Sequence, residues 1–593
     1  MSLMNKPAQI LLFLSATFLA AGFGLHLLWA FGGVIGLVPA IKWFIDDLRD
    51  KQMGSDVLAI LSIVGAIAIG EFFAAAVISL MLHSGRALES WAEGQAESAL
   101  KSLMDRMPKL AHRIRNGVIE TIDASKVVAG DQLLVKSGEM VPVDGTTMST
   151  CYLDQSALTG EPLPVLLKEN DTVLSGTINA GNNFEMKATG TLVQSTYSGI
   201  VTLVRNSRAA SSPNIRLANT WAMRFVPFSV LLALAAYLVS GEASRAVAVL
   251  VVATPCPLIL AIPIALVAGM SRATKIGAVI KGGGALERLS RAEIVLLDKT
   301  GTVTHGGPVL SDIQTLPGIT PEYALQIAAS LEQYSPHVVA KALVEDAISR
   351  GIELLGASDV HEDHGREVSG IVAGQKVTVG APPSSMPMWA KISFPLIVAL
   401  HVDSQLVAVF GLADPIREES GKTIKQLREL GVKEIVLVTG DREETAREVA
   451  EVLGVTRVIA EAKPETKLNV VHDYRNKSSG TVVVVGDGIN DAPALAASDV
   501  GIAMGARGAS AASEAADVVI IEDSVDRVAK AISIAKISRR KAFQSSVGGM
   551  TIAAGAMVAA AFNYLTPSEG AVLQEFIDVL AILWALTALR ARA

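Results

Sequence analysis

The sequence predicts a multidomain, polytopic α-helical membrane protein that carries a β-rich domain, an α/β domain and an α+β domain inserted into the α/β domain. Three observations support this class. Hydrophobic residues make up 50 % of the chain and charged residues only 18 %, and the mean hydropathy is +0.43. A chain of 593 residues is too long for one hydrophobic core. Long uncharged segments also alternate with polar segments that show strand and helix patterns.

The uncharged segments predict about eight transmembrane helices. Residues 7–41 are too long for one helix across about 30 Å of hydrocarbon, so we expect two helices joined near Trp29–Gly33. A second pair fits between Asp56 and about Glu89, with a turn near Gly70-Glu71. Arg590 and Arg592 predict a cytoplasmic C-terminus. The remaining four spans are predicted at Phe225–Ser240, Ala246–Met270, Val547–Thr566 and Gly570–Leu589.

Charge and cysteine content exclude several other classes of protein. The formal net charge is −7 and long Lys/Arg runs are absent, so nothing predicts nucleic-acid binding. The two cysteines, Cys151 and Cys256, are too few for a disulfide framework and do not form a Cys-x-x-Cys metal-binding module. We expect a monomer in the cell membrane, with its soluble domains in the cytoplasm.

Three apolar segments are each followed by polar residues of the kind that perform phosphoryl chemistry. Ile294–Leu297 precedes Asp298, Ile435–Val438 precedes Thr439-Gly440-Asp441, and Thr481–Val485 precedes a turn that contains Asp487 and Asp491. Each apolar segment is typical of a buried parallel strand. If the three strands are neighbours, their carboxyl ends gather these side chains at one edge of a sheet, where open α/β sheets place their chemistry.

An acidic cluster with a hydroxyl group and glycine-rich turns suits Mg²⁺ and a phosphoryl group. Carboxylate oxygens are good ligands for Mg²⁺, and backbone N–H groups without neighbouring side chains can approach a phosphate closely. Lys467, in the segment K-P-E-T-K, is a candidate for the positive charge that phosphoryl transfer requires.

The motifs D-K-T-G-T, T-G-D, K-P-x-x-K and G-D-G-x-N-D, in this order, resemble the phosphorylation domain of P-type ATPases, which has a haloacid-dehalogenase-like fold. The resemblance implies that ATP phosphorylates Asp298 to give an aspartyl-phosphate. It assigns catalytic roles to the neighbouring Lys299 and Thr300, to Thr439, Gly440 and Asp441, and to Lys467. It also implies a Mg²⁺ site formed by Asp298, Thr300, Asp487 and Asp491.

Two further domains follow from the same resemblance. Taken alone, Thr159-Gly160-Glu161-Pro162 is a tight turn with a solvated carboxylate, but it resembles the actuator loop in which Glu161 orients the water that hydrolyses the aspartyl-phosphate. Glu332, Ser335 and His337 resemble an element of the nucleotide-binding domain, with Val338 in place of a proline. Gly365 and Gly370 resemble the ends of its glycine-rich loop, although Glu367 replaces the middle glycine. An ordinary hairpin turn is the alternative for that loop.

These assignments divide the chain into seven segments. The segments are transmembrane helices 1–4 (residues 1–90), the actuator domain (91–205), helices 5–6 (206–275), the first part of the phosphorylation domain (276–314), the nucleotide-binding domain (315–409), the second part of the phosphorylation domain (410–540) and helices 7–8 (541–593).

Polar residues within the spans indicate a transport site. Thr254-Pro255-Cys256-Pro257 lies near the middle of the sixth span, where proline removes backbone hydrogen bonds and bends the helix. A structural kink with an inert cysteine is the alternative interpretation. Glu575 and Asp578 lie near the middle of the last span, and their i, i+3 spacing puts both carboxylates on one face. Buried carboxylates are costly in a membrane, which favours a functional pair.

The x-Pro-Cys element and the layout of helices resemble the heavy-metal (P1B) branch of the P-type ATPases. Cys256, Glu575 and Asp578 are then the predicted ligands of the transported ion. Thr254 stands where the copper pumps have their first cysteine, and one thiol beside carboxylates suits a divalent ion better than Cu⁺. We expect ATP-driven export of Zn²⁺, with Cd²⁺, Co²⁺ and Mn²⁺ as alternatives, and ATP and Mg²⁺ as cofactors. The remaining alternatives are a P-type pump for Cu⁺ or K⁺ and a membrane-anchored phosphatase or metal sensor.

Overall fold

The computed structural model describes residues 6–23, 25, 27–49, 56–96, 110–154, 165–195, 198, 213–254, 256–335, 337–363, 367–383, 385–392, 394–477, 480–487, 491–505 and 511–590. Within these ranges the chain forms a bundle of apolar helices, a β-rich domain, an α/β domain built on a largely parallel sheet and an α+β domain inserted into the α/β domain. The predicted fold class is therefore confirmed.

The apolar helices carry most of the residues that the sequence assigns to the membrane. They are α1 (Lys6–Ala21), α2 (Leu27–Arg49), α3 (Asp56–Ala68), α4 (Phe72–Ala96), α5 (Pro213–Ser240), α6 (Ala243–Val252) and α7 (Cys256–Lys275), together with two later helices, α16 (Asp526–Ala561) and α17 (Pro567–Leu586). By length and composition, three stretches of the described chain could cross a membrane, namely Leu27–Ile45, Ala243–Lys275 and Pro567–Leu589, and four shorter apolar helices accompany them.

Two details of the first and sixth spans differ from simple continuous helices. The predicted turn at Trp29–Gly33 is wrong, because these residues lie inside α2, which begins at Leu27, whereas α1 ends at Ala21. The missing side chain of Gly33 lets α2 approach α4 closely, because a Cβ atom there would lie 2.9 Å from the Cβ of Ala75. The sixth span is broken between Val252 and Cys256, as its prolines predict.

In the described residues of the β-rich domain, nine short strands form two sheets. A six-stranded sheet has the order β2-β1-β3-β9-β4-β7, and a three-stranded sheet has the order β6-β5-β8. Cys151 is buried in its core beside Leu133 and Phe184. The strands are β1 (Leu110–Arg115), β2 (Val118–Asp123), β3 (Gln132–Val135), β4 (Gly145–Thr147), β5 (Cys151–Asp154), β6 (Val165–Leu167), β7 (Thr172–Val173), β8 (Ile178–Asn179) and β9 (Phe184–Ala188).

The α/β domain is built on a seven-stranded sheet with the strand order β10-β22-β21-β20-β11-β18-β19. All neighbouring pairs are parallel except β10 and β22. The strands are β10 (Ala278–Ile280), β11 (Ala292–Asp298), β18 (Glu434–Val438), β19 (Arg457–Ile459), β20 (Thr481–Gly486), β21 (Val500–Ala503) and β22 (Val518–Ile520). The helices are α8 (Gly283–Leu289), α11 (Ser420–Glu429), α12 (Glu443–Leu453), α13 (Pro464–Lys477), α14 (Ala492–Ala497), α15 (Ala511–Ala515) and the first part of α16.

The inserted domain is a six-stranded antiparallel sheet with two helices. The sheet order is β12-β17-β16-β15-β14-β13, and Leu325, Leu343 and Phe410 lie in the shared core. Because β12 pairs with β17, the sheet extends a few residues beyond the segment 315–409 that was assigned from the sequence. The elements are β12 (Val309–Thr315), α9 (Pro321–Glu332), α10 (Val338–Ser349), β13 (Ala357–Asp363), β14 (Glu367–Val372), β15 (Gln375–Gly380), β16 (Leu396–Val402) and β17 (Gln405–Ala413).

The α16 helix joins the sheet to the membrane bundle. Its first half packs in the core of the α/β domain through Val528 and Ile532, and its second half packs against α7 and α17. Gly549 makes the closest approach: a Cβ atom there would lie 2.4 Å from the Cβ of Pro257, whereas one at Gly548 would meet nothing within 4 Å.

We predict opposite effects for alanine at these two adjacent glycines. Gly549→Ala forces α16 away from α7 and should destabilise the bundle by about 1–3 kcal/mol, the usual cost of overpacking. Gly548→Ala should be neutral or stabilising, because alanine has the higher helix propensity. Thermal unfolding of the purified full-length protein in detergent measures both. Equal melting temperatures for the two variants would contradict the close contact.

Candidate functional site

The candidate site lies at the carboxyl ends of β11, β20 and β18, which are neighbours in the sheet. In register, Leu297 of β11 faces Leu437 on one side and Val485 on the other. The residues that follow each strand are therefore brought to one edge, as the sequence predicts. The central residues of these strands are apolar because both faces of the sheet are buried, and the polar residues cluster at the strand ends.

Three carboxylates meet at this edge. Asp298, Asp487 and Asp491 each offer an oxygen, and these oxygens lie within 4.8 Å of one another. Asp491 is buried and Asp487 is exposed at the mouth of the site. Like charges at this separation repel, so the cluster requires a cation. Oxygen donors grouped in this way fit Mg²⁺, with water completing its octahedral shell.

Lys467 is the protein's own counter-charge in the cluster. Its Nζ atom donates to Asp298 Oδ1 at 2.5 Å and to Asp491 Oδ1 at 2.7 Å. The lysine projects from the first turn of α13, which begins at Pro464. Although burial disfavours the charged amine, the ion pairs with Asp298 and Asp491 raise its pKa. Lys467 thus stays charged and holds the Asp298 carboxylate in place.

One lysine does not neutralise three carboxylates, and their pKa values reflect this. Burial, assisted by the neighbouring Asp491 charge, raises the pKa of Asp298 to about 7, against the opposing effect of Lys467. Partial burial and the Asp491 charge raise the pKa of Asp487 to about 6. Protons therefore bind this cluster near neutral pH when no other cation is present.

Two glycines leave room for the cluster. Gly301, in the loop after Asp298, has a φ of +70°, and a Cβ atom there would lie 1.6 Å from Asp487 Oδ2. A Cβ atom on Gly486 would lie 2.5 Å from Asp491 Oδ2. Neither position admits a side chain while the carboxylates converge, which explains the glycines in the D-K-T-G-T and G-D-G motifs.

The predicted residues of the neighbouring loops lie at the same edge. Lys299 is buried and its Nζ atom forms an ion pair with Asp441. Thr439 is buried, and its hydroxyl oxygen accepts a hydrogen bond from the backbone N–H of Asp441 at 3.1 Å. Gly440 lies between Thr439 and Asp441 in the chain, and Thr300 is exposed two residues after Asp298. The ion pair ties the loop after β18 to the loop after β11.

Sequence analysis did not identify three residues that support the Asp298 loop. The side chain of Arg417 is buried, and it donates to the carbonyl oxygens of Thr304 at 2.8 Å and Gly301 at 3.3 Å. The same guanidinium pairs with Asp523 at 2.5 Å. Asp414 accepts from the Thr304 hydroxyl at 2.6 Å. Arg417 follows Asp414 by three residues and belongs to no recognisable local pattern. The sequence therefore does not indicate that Arg417 contacts the Asp298 loop.

A pocket of about 180 Å³ in the inserted domain collects most of the predicted nucleotide residues. Glu332, Ser335 and His337 line it beside Glu362. The Ser335 hydroxyl donates to Glu362 at 3.0 Å, and His337 begins α10 as its N-cap. Burial and the Glu362 charge raise the pKa of Glu332 to about 7, and its Oε2 atom has no hydrogen-bond partner among the described residues. These groups can hydrogen-bond a nitrogen-rich ring.

The predicted glycine-rich loop differs from expectation. Gly370 lies inside β14 and not in a loop, so its assignment as a loop residue is wrong. A glycine is needed there because a Cβ atom would lie 2.8 Å from the Leu331 side chain of the covering helix α9. Gly365 lies outside the described residues, as does Glu161 of the predicted actuator loop.

The membrane bundle contains a second set of buried polar groups. Gln574 and Asp578 are buried on one face of α17, and the Gln574 amide donates to Asp578 Oδ1 at 3.0 Å. Four residues of the bundle carry buried oxygen atoms that have no hydrogen-bond partner among the described residues. These atoms are Thr254 Oγ1, Ser546 Oγ, Gln574 Oε1 and Glu575 Oε2.

Helix contacts place these groups at one level of the bundle. Near the start of α17, Gly570 packs on Val252 of α6, and farther along it Ala581 packs against Gly549 beside Pro257. The end of α6 at Val252 and the start of α7 at Cys256 therefore lie beside the turns of α17 that carry Gln574, Glu575 and Asp578. Cys256 begins α7 at this level, and its side chain lies outside the described residues. Unpaired buried oxygens are costly, and a cation that they bind would offset this cost.

We predict that Mg²⁺ binding to the carboxylate cluster weakens as the pH falls. Mg²⁺ binds the ionised carboxylates, so protons on groups with pKa values of about 7 and 6 compete with it. The apparent Kd should rise about ten-fold between pH 7 and pH 6. Titration calorimetry of the full-length protein in buffers of different ionisation enthalpy measures both the Kd and the protons released.

Asp298→Asn is the matched variant, since it removes the more basic carboxylate with little change in shape. Its Mg²⁺ affinity should vary much less over the same pH interval. A Kd that is independent of pH in the unsubstituted protein would show that the cluster does not bind the ion through these carboxylates.

Comparisons with known proteins agree with this architecture. A family model of haloacid dehalogenase-like hydrolases matches residues 292–499, and that of the P-type ATPase actuator domain matches residues 105–205. The crystal structure of a zinc-transporting PIB-type ATPase in the E2.Pi state aligns with a TM-score of 0.65 and 26 % identity, over 99 % of this chain and 100 % of the other.

Several curated relatives cover most of the chain. A copper-exporting P-type ATPase of Legionella pneumophila is 33 % identical over 98 % of this chain and 80 % of its own length. A zinc-transporting ATPase of Synechocystis is 31 % identical over 90 % of this chain and 76 % of its own length. A copper-transporting ATPase of Rhizobium meliloti is 36 % identical over 83 % of this chain, and the match spans 63 % of that protein's length. The chain belongs to the P-type ATPase family, in its heavy-metal (P1B) branch.

Proposed function

We propose that the protein couples ATP hydrolysis to export of a divalent first-row transition-metal ion through an aspartyl-phosphate. The observation that carries this proposal is the position of Asp298 at the end of β11, where Lys467 holds one carboxylate oxygen at 2.5 Å. The second oxygen is left for attack on the terminal phosphorus of ATP, which breaks the bond from that phosphorus to the bridging oxygen and releases ADP. Family membership supports the same chemistry.

The residues around Asp298 stabilise the charge that develops during phosphoryl transfer. Mg²⁺, when held by Asp298, Asp487, Asp491 and Thr300, supplies positive charge to the phosphoryl oxygens. Lys467 donates to the same oxygens, and Thr439 and the N–H groups near Gly440 provide neutral donors. Lys299 contributes by tying its loop to Asp441. The Asp298 carboxylate must be ionised to act, so Lys467 also favours the reactive form.

The pocket in the inserted domain is the proposed site for the adenine ring. Glu332 and His337 lie on opposite sides of the break between α9 and α10, with Ser335 between them. A buried carboxyl with a pKa near 7 can donate or accept a hydrogen bond, which suits a ring with both donors and acceptors. Glu161 is proposed to orient the water that later hydrolyses the aspartyl-phosphate, as the resemblance implies.

The proposed ion site consists of Cys256, Gln574, Glu575 and Asp578, with Thr254 and Ser546 as further oxygen donors. One thiol and several oxygens are a poor set for Cu⁺, which prefers sulfur. They suit divalent ions of intermediate softness. Zn²⁺ fits if four donors bind, and Fe²⁺, Co²⁺ or Ni²⁺ fit if the amide and hydroxyl oxygens complete a six-coordinate shell. Cd²⁺, a softer ion, and Mn²⁺, a harder ion, are alternatives.

Two continuous elements can transmit the state of Asp298 to this ion site. The α16 helix has 36 residues and is about 54 Å long, so it reaches from the sheet to the bundle. The α7 helix leads from the ion site to β10 at the edge of the same sheet. Because one equilibrium between two states would couple both sites, metal should promote phosphorylation and phosphorylation should weaken metal binding.

We propose a monomer in the cell membrane with cytoplasmic domains.

Asp298→Asn should abolish the acid-stable, hydroxylamine-sensitive label that forms from ATP, because the amide cannot form the acyl phosphate. Glu161→Ala should retain the label but slow its decay by about 10²-fold or more, the usual effect of losing a general base. Pulse-chase labelling of purified protein measures both. Undiminished labelling of Asp298→Asn, or normal decay in Glu161→Ala, would contradict the respective role.

Asp578→Asn should reduce the metal affinity that stimulates ATPase activity by about ten-fold or more, since it removes one charged ligand. The matched control is Glu569→Gln on the same helix. Its side chain closes an exposed capping box with Thr566, which glutamine also satisfies. The measurement is ATPase activity of the full-length protein with Fe²⁺, Co²⁺, Ni²⁺, Zn²⁺, Cd²⁺, Mn²⁺, Cu⁺ and K⁺, followed by uptake into inside-out vesicles.

These assays also separate the alternative functions. A membrane-anchored phosphatase or metal sensor would hydrolyse phosphate esters without moving an ion, and its turnover would not require Asp578. Stimulation by Cu⁺ or K⁺ alone would overturn the proposed cargo. Metal-stimulated turnover without vesicle uptake would overturn transport.

A further inference from the structure

A large polar cavity lies at the opposite end of the sheet from Asp298. Its volume is about 840 Å³, within the range of small-molecule sites. The starts of β11 and β20 line it through Ala292 and Thr481, and α16 closes one side through Lys536 and Arg539. None of the groups assigned to phosphoryl transfer or ion binding lines this cavity.

The lining is strongly cationic. Five Arg or Lys side chains and two carboxylates leave a formal charge of +3, and His472 is also present. The cationic residues are Arg288, Arg291, Arg475, Lys536 and Arg539. A concave surface with one sign of charge concentrates ligands of the opposite sign.

The two carboxylates are already engaged. Glu293 accepts a hydrogen bond from Lys433 at 2.9 Å, and that lysine does not line the cavity. Asp499 accepts from Arg475 at 2.9 Å and from the backbone N–H of Val482 at 2.9 Å. Both carboxylates are therefore already engaged by other groups, although the Glu293 charge still acts on Lys536.

That side carries the cations with the fewest partners. In the described part of the chain, the exposed Arg539 makes no hydrogen bond or ion pair, and neither does His472. Lys536 donates only to the carbonyl oxygen of Leu430. Burial and then the neighbouring Arg539 charge lower the pKa of Lys536, and the Glu293 charge opposes this shift. Arg539, Lys536 and His472 can all donate to an anion.

The cavity lies close to the membrane surface. Lys541 Nζ packs 4.3 Å from the ring of Trp584, close to the C-terminal end of α17. A tryptophan and a lysine at a helix end are typical of the lipid headgroup level. Arg539 precedes Lys541 by two residues on α16, a rise of about 3 Å. The guanidinium of Arg539 can therefore reach the phosphate layer.

We propose that this cavity binds a phosphate-bearing anion, and that its source is the headgroup of an anionic phospholipid in the cytoplasmic leaflet. The phosphate would lie between Arg539 and Lys536, and headgroup hydroxyls would contact the polar strand ends. Such a lipid would brace α16 against the sheet at the point where the helix leaves the α/β domain.

The test is lipid binding to the full-length protein, measured by native mass spectrometry in detergent with phosphatidylglycerol and phosphatidylcholine. The unsubstituted protein should bind phosphatidylglycerol in preference. Arg539→Gln should weaken that binding by about five-fold, the usual contribution of one cation at a membrane surface. Arg540→Gln is the matched control, because it is an exposed cation on the same turn that does not line the cavity. It should leave the affinity unchanged.

Two outcomes would overturn the proposal. Equal loss in Arg539→Gln and Arg540→Gln would reduce the effect to general surface charge. Binding of inorganic phosphate that depends on Arg539, without preference for phosphatidylglycerol, would overturn the lipid as the source. Because Arg539 is exposed and has no partner among the described residues, Arg539→Gln should fold normally, and an unchanged melting temperature checks this.

Discussion

The repulsion among three carboxylates at one edge of the sheet is the constraint on which the catalytic domain depends. Asp298, Asp487 and Asp491 lie close enough that they cannot all be ionised without a cation. Lys467 supplies one charge and fixes the direction of Asp298. The negative charge that remains suits a divalent cation, which can in turn bind a phosphoryl group. The arrangement that is unfavourable without ligands therefore favours their binding.

Support for this cluster comes from parts of the chain that are distant in sequence. Arg417 reaches the loop after Asp298 and pairs with Asp523, and the ion pair of Lys299 with Asp441 joins two strand ends. The inserted domain interrupts the chain between β11 and β18, but β12 pairs with β17, so both ends of the insertion return to the same place. The insertion can thus carry a nucleotide pocket without disturbing the sheet.

The membrane bundle likewise contains polar groups that are unfavourable without a ligand, but these groups are buried oxygen atoms. Gln574, Glu575, Thr254 and Ser546 each bury an oxygen atom without a partner among the described residues. Helices in a bilayer tolerate such groups only where something else binds them. The donors suit a cation, and α7 and α16 lead directly from them to the sheet that carries Asp298. The two sites therefore share the elements that could couple them.

The sequence by itself determined the fold class, the phosphorylation motifs and most of the membrane spans. These features depend on local properties: runs of apolar residues, glycines with special backbone angles and short motifs at strand ends. It placed one turn wrongly, because Gly32 and Gly33 are equally compatible with a turn and with close helix packing. Only the tertiary structure decided that packing, the support from Arg417, the strand position of Gly370 and the cationic cavity below the sheet. Each of these depends on residues that are far apart in the chain, and no local pattern records which of them meet.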